Sequence, residues 1–426
     1  MANKEFDVIV YGATGFTGAL VARYLLQEPE SLPDAPSAIK WAIAGRSTKK
    51  LQAVKDQLKL KVSSVDAAVI DAIPVVVADS SDEKQLVDMV LKTKVVLTVV
   101  GPYQLYGEAL VKACAENGVH YCDLTGEALW IDRMVHKYDA AAKKSGAILI
   151  NCCGFDSVPS DLTAMLLADS VTKTKNTSTA EVSIYFTDLD TGLSGGTLAS
   201  AFATFDNSTS AELARMKDPF LLCDEKTQAQ KKAAGLTRAN QSSMGLKYEK
   251  DLGRWSSFFV GGDMNAAIVH RSNFLQKNAY GDTFVYRERM SSGGLIKQVL
   301  TTVGVAIGGM FLYFNLTRAL VRRFVPKPGE GPSEEVMQNG KLVAQGLAYD
   351  GAGVLVARST TIGTSDPFYS MTSKVIAETA FCLAKDELAN SNVQRGGFFT
   401  PASAVGVHLA KRLHDKRIMT VDVKSV

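Results

Sequence analysis

The sequence has no CxxC pair, and its six cysteines, at 114, 122, 152, 153, 223 and 382, show no paired ligand spacing. That argues against a zinc site and against a disulfide framework, and no metal is expected. Charge of neither sign is in excess: 47 basic residues against 44 acidic ones leave a net +3, so nothing global points to nucleic acid. No secretory signal is seen, since "MANKEFDVIVYG" runs directly into an apolar stretch; with the unpaired cysteines, this favours a reducing compartment facing the cytosol. Hydrophobic residues at 46% and charged residues at 21% are close to ordinary globular usage, so neither disorder nor a polytopic membrane protein is indicated. A length of 426 residues suffices for two or more domains.

One stretch stands out, "VIVYGATGFTGALVARYLLQ", Val8 to Gln27. Val8 to Tyr11 read as a buried strand, and Ala19 to Leu26 carry apolar residues at helical spacing. The turn between them, Gly12-Ala13-Thr14-Gly15-Phe16-Thr17-Gly18, has the pattern GxxGxxG. Such glycines allow a tight turn, close approach of backbone to a pyrophosphate, and close packing of helix on strand. The helix N-terminus adds free N–H groups and the positive end of a dipole, so the strand, turn and helix together predict a nucleotide site. A purely structural glycine turn is the bland alternative.

Strand and helix patterns alternate through the first third. Ile39–Arg46, Ile73–Asp79, "KVVLTVVGPY", "VHYCDLTG" and "AILINCCGF" read as further strands with helices between them. Residues 1–165 are therefore expected to form an α/β domain, a doubly wound parallel sheet of Rossmann type. From 180 to 395 the pattern becomes that of an α+β domain with an antiparallel sheet, with strands expected at "AEVSIYFT", "MNAAIVHRSN", "AYGDTFVYRERM" and in a pair turning at Asp350-Gly351. Residues 396–426 contain a helix with Thr400 as N-cap and Pro401 in its first position, expected to return to the first domain.

The second strand ends in "AGRS". A carboxylate there would hold the 2′-hydroxyl of NAD; Gly45, Arg46 and Ser47 offer none, which favours NADP(H). The loop "EPESLPDAPSA" takes up the long gap between Gly18 and Arg46. At the carboxyl edge of the fourth strand, Gly101 lets a cofactor approach, Pro102 stiffens the turn, and Tyr103 is a candidate proton donor or nicotinamide wall. Asp123, Glu127 and Asp156 follow strands of the same sheet, where burial can raise a carboxyl into the range of a general acid; caps and ion pairs are the competing roles. Cys152 and Cys153 read as strand packing. In the second domain Ser194-Gly195-Gly196-Thr197 leads into a helix whose backbone N–H groups suit a carbonyl or carboxylate oxygen, against a plain cap. Tyr103, Asp156 and Gly196 are thus the catalytic candidates.

Together, "YGATGFTG", "AGRS", "VVGPY", "YCDLTGE", "GFDSVPSD", "SGGT", "PGEGPSEE" and "FTPASA" resemble, in order over nearly the whole chain, the saccharopine dehydrogenase-like oxidoreductases, including the trans-acting enoyl reductases of lipid synthesis. The resemblance implies an NADP-binding Rossmann domain with the second domain inserted before a returning C-terminal helix. It implies that Gly12, Thr14, Gly15, Phe16, Thr17 and Gly18 hold the pyrophosphate, Arg46 and Ser47 the 2′-phosphate, and Gly101, Pro102 and Tyr103 the nicotinamide side. Three activities stay open: reduction of a lipid-like enoyl or carbonyl substrate, reduction of an amino acid of the saccharopine type, and non-catalytic NADP binding at a lipid surface.

The stretch "VLTTVGVAIGGMFLYFNL", Val299 to Leu316, carries no charge and is followed by Arg318, Arg322, Arg323 and Lys327. It is marginal in length for a span, and a span would separate the C-terminal helix from the first domain. Shallow insertion at a membrane or lipid-droplet surface, helped by Gly304, Gly308 and Gly309, competes with a helix buried between the protomers of a homodimer. The flanking cations and droplet-associated family members favour the surface. The expected location is a cytosol-facing lipid droplet or membrane, with the mitochondrion as an alternative.

Overall fold

The computed structural model describes residues 4–33, 38–192, 194–236, 245–327 and 329–426. Residues 34–37 of the expected loop after the first helix, and Pro328 of "PGEGP", lie outside that set.

Among the described residues, fourteen strands form two seven-stranded sheets. The first has the order β13-β6-β5-β4-β1-β2-β3, built from β1 (Phe6–Tyr11), β2 (Trp41–Gly45), β3 (Val75–Val77), β4 (Thr93–Thr98), β5 (His120–Asp123), β6 (Ile148–Ile150) and β13 (Gly397–Phe399). Every pairing in it is parallel. The strands are short and buried on both faces, because helices cover both sides of the sheet. Strand order reverses between β1 and β4, the place where open α/β sheets bind ligands at their carboxyl edge. The helices of this part are α1 (Phe16–Gln27), α2 (Thr48–Lys61), α3 (Ala67–Asp71), α4 (Glu83–Val90), α5 (Tyr103–Tyr106), α6 (Glu108–Asn117), α7 (Ala128–Ser145) and α8 (Val158–Lys175).

The second sheet has the order β14-β12-β11-β7-β10-β9-β8. It comprises β7 (Glu181–Asp190), β8 (Lys247–Glu249), β9 (Arg254–Phe258), β10 (Val285–Gly293), β11 (Lys341–Tyr349), β12 (Leu355–Gly363) and β14 (Met419–Ser425). It is antiparallel except where β10 runs parallel to β7. Inserted among these strands are α9 (Gly195–Asn207), α10 (Ser210–Arg215), α11 (Glu225–Ala233), α12 (Gly262–Leu275), α13 (Leu295–Tyr313), α14 (Asn315–Val321) and α15 (Glu334–Asn339). The stretch expected as a strand at Met264–Asn273 is part of α12. Its residues from Asn265 to Asn273 are all buried, polar ones included, so the run shows no helical stripe from which period could be read.

The chain returns to the first sheet earlier than the expected boundary at 396, with α16 (Thr372–Ala384) lying across β1, β4 and β5 and against α1. After β13 has extended that sheet, α17 (Pro401–Asp415) packs between α16 and α8, and α8 covers β11, β12 and β14 of the second sheet. Thr400 caps α17 with Pro401 in its first turn, as the local sequence predicts. Fully buried Glu378 on α16 accepts from Arg412 Nε at 2.6 Å and from the Tyr24 hydroxyl at 2.5 Å, which joins α16, α17 and α1 through one carboxylate. Lys385, Arg412 and Lys416 neutralise the neighbouring Glu28 and Glu30.

The apolar segment is an exposed helix. α13 is long and apolar enough to cross a membrane, yet only 6% of its most apolar window is buried in protein. Its first turn is fixed by buried Gln298, which accepts from the Ser292 amide at 2.6 Å and donates to Ser257 Oγ at 2.6 Å. Beyond it, Val303, Ile307 and Met310 are each about half exposed. At the far end Arg318 on α14 donates to the Leu312 and Tyr313 carbonyls, which closes an elbow between α13 and α14.

Candidate active site at the switch between β1 and β4

The turn after β1 is held by close backbone contact. Gly12 has φ +94°, and a Cβ there would lie 2.7 Å from Val100 Cγ2 at the end of β4. A Cβ on Gly18 would lie 2.2 Å from the Gly12 carbonyl oxygen, so α1 rests directly on the turn. Gly15 differs: a Cβ there meets only the Gly12 oxygen at 3.4 Å, and Gly15 is the N-cap of α1 with no side chain bonded to the helix end. The first turn of α1 therefore presents its N–H groups outward with Thr14 exposed beside them, an arrangement that fits a pyrophosphate.

Across the switch, Gly45 ends β2 and Ser47 caps α2 through the Lys50 amide, leaving Arg46 exposed at the edge. Arg46 lies in the field of Asp79, whose carboxyl is held below the usual range first by its bonds to the Ser81 amide and hydroxyl and, to a lesser degree, by Arg46. An exposed guanidinium at this edge fits a 2′-phosphate.

The structure corrects the expectation for Tyr103. The side chain is buried, its hydroxyl donates to the Thr98 carbonyl at 3.3 Å and accepts from the Leu124 amide at 3.1 Å, and its ring lies against Trp130. Burial pushes the phenol well above its usual pKa. It is a core group that locks β4 to β5 and cannot readily give up a proton. Glu127 is likewise a cap: its two oxygens accept from the Tyr103 and Gln104 amides at 2.9 and 2.8 Å. Asp123, fully buried, accepts from Tyr121, Asn151, Thr125 and Cys152. Cys152 and Cys153 are buried, and burial raises both thiols, so neither is poised as a nucleophile.

In "GFDSVPSD" nearly every polar group is bound to another element. Ser157 bonds Asn265 at 2.8 Å, Ser160 bonds Glu288 at 2.5 Å, and Asp161 accepts from Ser272 and from the Ala402 amide at the start of α17. Asp156 is the exception. The residue is exposed at this edge, and desolvation by the surrounding protein raises its carboxyl to about 6. It lies beside Gly126 and within the electrostatic reach of Tyr369.

The second domain closes this edge with α9. Ser200 Oγ lies 3.5 Å from where a Cβ on Gly101 would stand, which sets α9 over the end of β4. Of the backbone N–H groups expected at its N-terminus, two are taken up: Gly195 donates to the Glu330 carbonyl at 3.1 Å, and Thr197 N–H is capped by Ser194 Oγ. Gly196 is exposed and is the candidate donor in this turn. Tyr369, not singled out by sequence reasoning, joins the two halves. Its hydroxyl accepts from the Ser194 amide at 2.6 Å and bonds Thr197 Oγ1 at 2.8 Å, while its ring meets Phe16 edge-on at 5.4 Å. The only local signal was Asp366-Pro367, a turn opening in which Asp366 accepts from the Tyr369 amide.

Residues 8–150 match the saccharopine dehydrogenase NADP binding domain. Over 422 residues the chain is 34% identical to a trans-acting enoyl reductase of Mycobacterium bovis, covering 97% of this chain and 96% of the relative. A Mycobacterium ulcerans trans-acting enoyl reductase is 33% identical over 427 residues, again with 97% and 96% covered. The chain belongs to this saccharopine dehydrogenase-like, trans-acting enoyl reductase family. It is an NADP-binding oxidoreductase. In fold it is similar to saccharopine dehydrogenase of Saccharomyces cerevisiae, with a TM-score of 0.53 at 11% identity, covering 99% of this chain and 100% of that one.

Proposed function

We propose that this member of the family is an NADPH-dependent reductase of a lipid-like substrate, an acyl chain bearing an enoyl or carbonyl group, working at a membrane or lipid-droplet surface. The observation that carries the reading is the course of α9. Its middle, at Ser200, lies over the sheet edge beside Gly101, and its end lies on the exposed apolar elbow, where Asp206 bonds Arg318 at 2.8 Å and Arg322 stacks over Phe202 at 4.9 Å. One helix thus reaches from the reacting edge to an apolar face flanked by Arg322, Arg323 and Lys327, whose charge suits anionic headgroups. The names borne by the mycobacterial relatives support the enoyl class.

In this reading the backbone of Gly12, Thr14, Gly15, Phe16, Thr17 and Gly18 cradles the pyrophosphate, and Arg46 with Gly45 and Ser47 receives the 2′-phosphate. Gly101 and Pro102 leave room at the nicotinamide side. NADPH supplies a hydride when bound. The Gly196 N–H faces negative charge that develops on the substrate oxygen. Asp156, raised towards neutrality, holds the proton that completes the reduction.

The test uses the purified full chain, NADPH, and long-chain 2-enoyl and 3-keto thioesters in phosphatidylserine-containing vesicles. Oxidation of NADPH with either thioester is expected. Turnover of saccharopine instead would move the protein to the amino-acid class, and NADPH binding without turnover of any of these would leave a non-catalytic lipid-surface protein.

A further inference from the structure

We propose that seating of the exposed elbow on an anionic bilayer and binding of NADPH are coupled, each strengthening the other, through the segment that follows α14. The inference rests on the surface-bound reading above. The described residues after the elbow, Pro326, Lys327 and those from Gly329 to Glu334, touch α9 and the nucleotide turn. The first part of this segment touches α9: Glu330 accepts the Gly195 N–H at 3.1 Å, and a Cβ on Gly195 would stand 2.0 Å from the Lys327 oxygen. Its middle covers the nucleotide turn, since a Cβ on Gly331 would lie 2.5 Å from the ring of Phe16. Its end is bound to the first domain, with Glu334 accepting from Arg23 of α1 at 2.9 Å and from Lys61 of α2 at 2.7 Å.

The segment also closes on itself, Lys327 N–H donating to Glu330 Oε2 at 2.9 Å and Glu330 N–H to the Lys327 oxygen at 2.9 Å. These two bonds tie Lys327 and Glu330 into one turn. A second connection runs through α9, whose Asp206 is held by Arg318 and Arg322 of the elbow and whose first turn is held by Glu330. The elbow, the segment and α9 thus form a closed ring of contacts, and Phe16 abuts the segment just beyond it, at Gly331. The bare apolar face of α13 gives the ring a reason to shift when lipid replaces water along it. A contact that moves the ring changes the space at the first turn of α1, where the pyrophosphate would lie. Linkage then requires that NADPH change the affinity for bilayer by the same factor.

The experiment measures the Kd of NADPH by fluorescence titration with and without vesicles of phosphatidylcholine and phosphatidylserine, and vesicle partition of the full chain with and without NADPH. Both affinities are expected to rise by the same factor, about fivefold or more. In Glu334→Gln the factor is expected to fall towards one, while each affinity measured alone stays within about twofold, because these partly exposed ion pairs lie outside the cofactor turn and the bilayer face and contribute little by themselves. Ile307→Asp, which removes bilayer binding, should make the NADPH titration insensitive to vesicles. Binding of both partners with unchanged constants would overturn the coupling and leave the surface reading standing. Failure to bind vesicles at all would overturn both.

Discussion

The phenolic oxygen of Tyr369 lies 2.6 Å from the amide nitrogen of Ser194, so the first turn of the helix over the reacting edge is capped from a distant segment. Tyr369→Phe keeps the ring against Phe16 and removes this acceptor. A buried amide left without a partner costs about 1–3 kcal/mol, and a urea titration should show a loss of that size. A variant as stable as the parent would mean that the cap is replaced by solvent.

The glycines of the nucleotide turn should separate by role. Gly15→Asp has room for its Cβ but brings a carboxylate to the end of α1, so the protein should fold while NADPH affinity drops by at least about tenfold. Gly18→Ala puts a methyl group against the Gly12 oxygen and should lower both stability and affinity. Circular dichroism melts beside NADPH titrations distinguish the two.

Arg46→Ala should weaken NADPH without affecting NADH. A charge-assisted bond contributes about 1.5–3 kcal/mol, which corresponds to roughly 10- to 100-fold in Kd. Equal losses for both cofactors would place the 2′-phosphate elsewhere.

Asp156 carries a pH prediction for stability and for rate. Its folded pKa, about 6, lies above the unfolded value near 3.9, so between these values the folded state holds a proton that the unfolded state has lost. The group thus favours folding most at the acid end, and its contribution falls as pH rises through the window to about 6. Asp156→Asn should therefore gain melting temperature relative to the parent at pH 7 and show no gain at pH 4. If Asp156 supplies the proton, the fall of kcat on the alkaline side of pH 6 should vanish in the same variant.

Charge placed on the exposed face of α13 should act on location alone. Ile307→Asp and Val303→Asp change side chains that are about half exposed, so the melting temperature and the NADPH Kd without lipid should hold while vesicle co-sedimentation is lost. Loss of a homodimer in gel filtration, with vesicle binding intact, would assign the face to a second copy instead.

Much of the first domain was legible because its signals are local. Gly12 to Gly18 and Thr400-Pro401 each state a backbone requirement within a few residues, and the structure places a turn and a capped helix there. What was not legible depends on distant partners. The strand expected at Met264–Asn273 is a helix because burial on every side erases its period. Tyr103 looked like an acid by its position, but Thr98 and Leu124 occupy its hydroxyl. Nothing in "SGGT" says that Gly195 will give its amide to Glu330, since that bond depends on a segment more than a hundred residues away.

The division of the C-terminal residues between the two sheets limits how this protein can move. β13 extends the first sheet beside β6, and about twenty residues later β14 extends the second beside β12, with α17 wedged between. A chain laced in this way resists opening about a single interdomain hinge, because such a swing would tear a strand from one sheet or the other. Admission and release of ligands must then fall to smaller parts, the first turn of α9 and the segment over Phe16. Shortening the chain at residue 395 would leave both sheets with a newly bared edge, and the cost would appear as aggregation before it appeared as lost turnover.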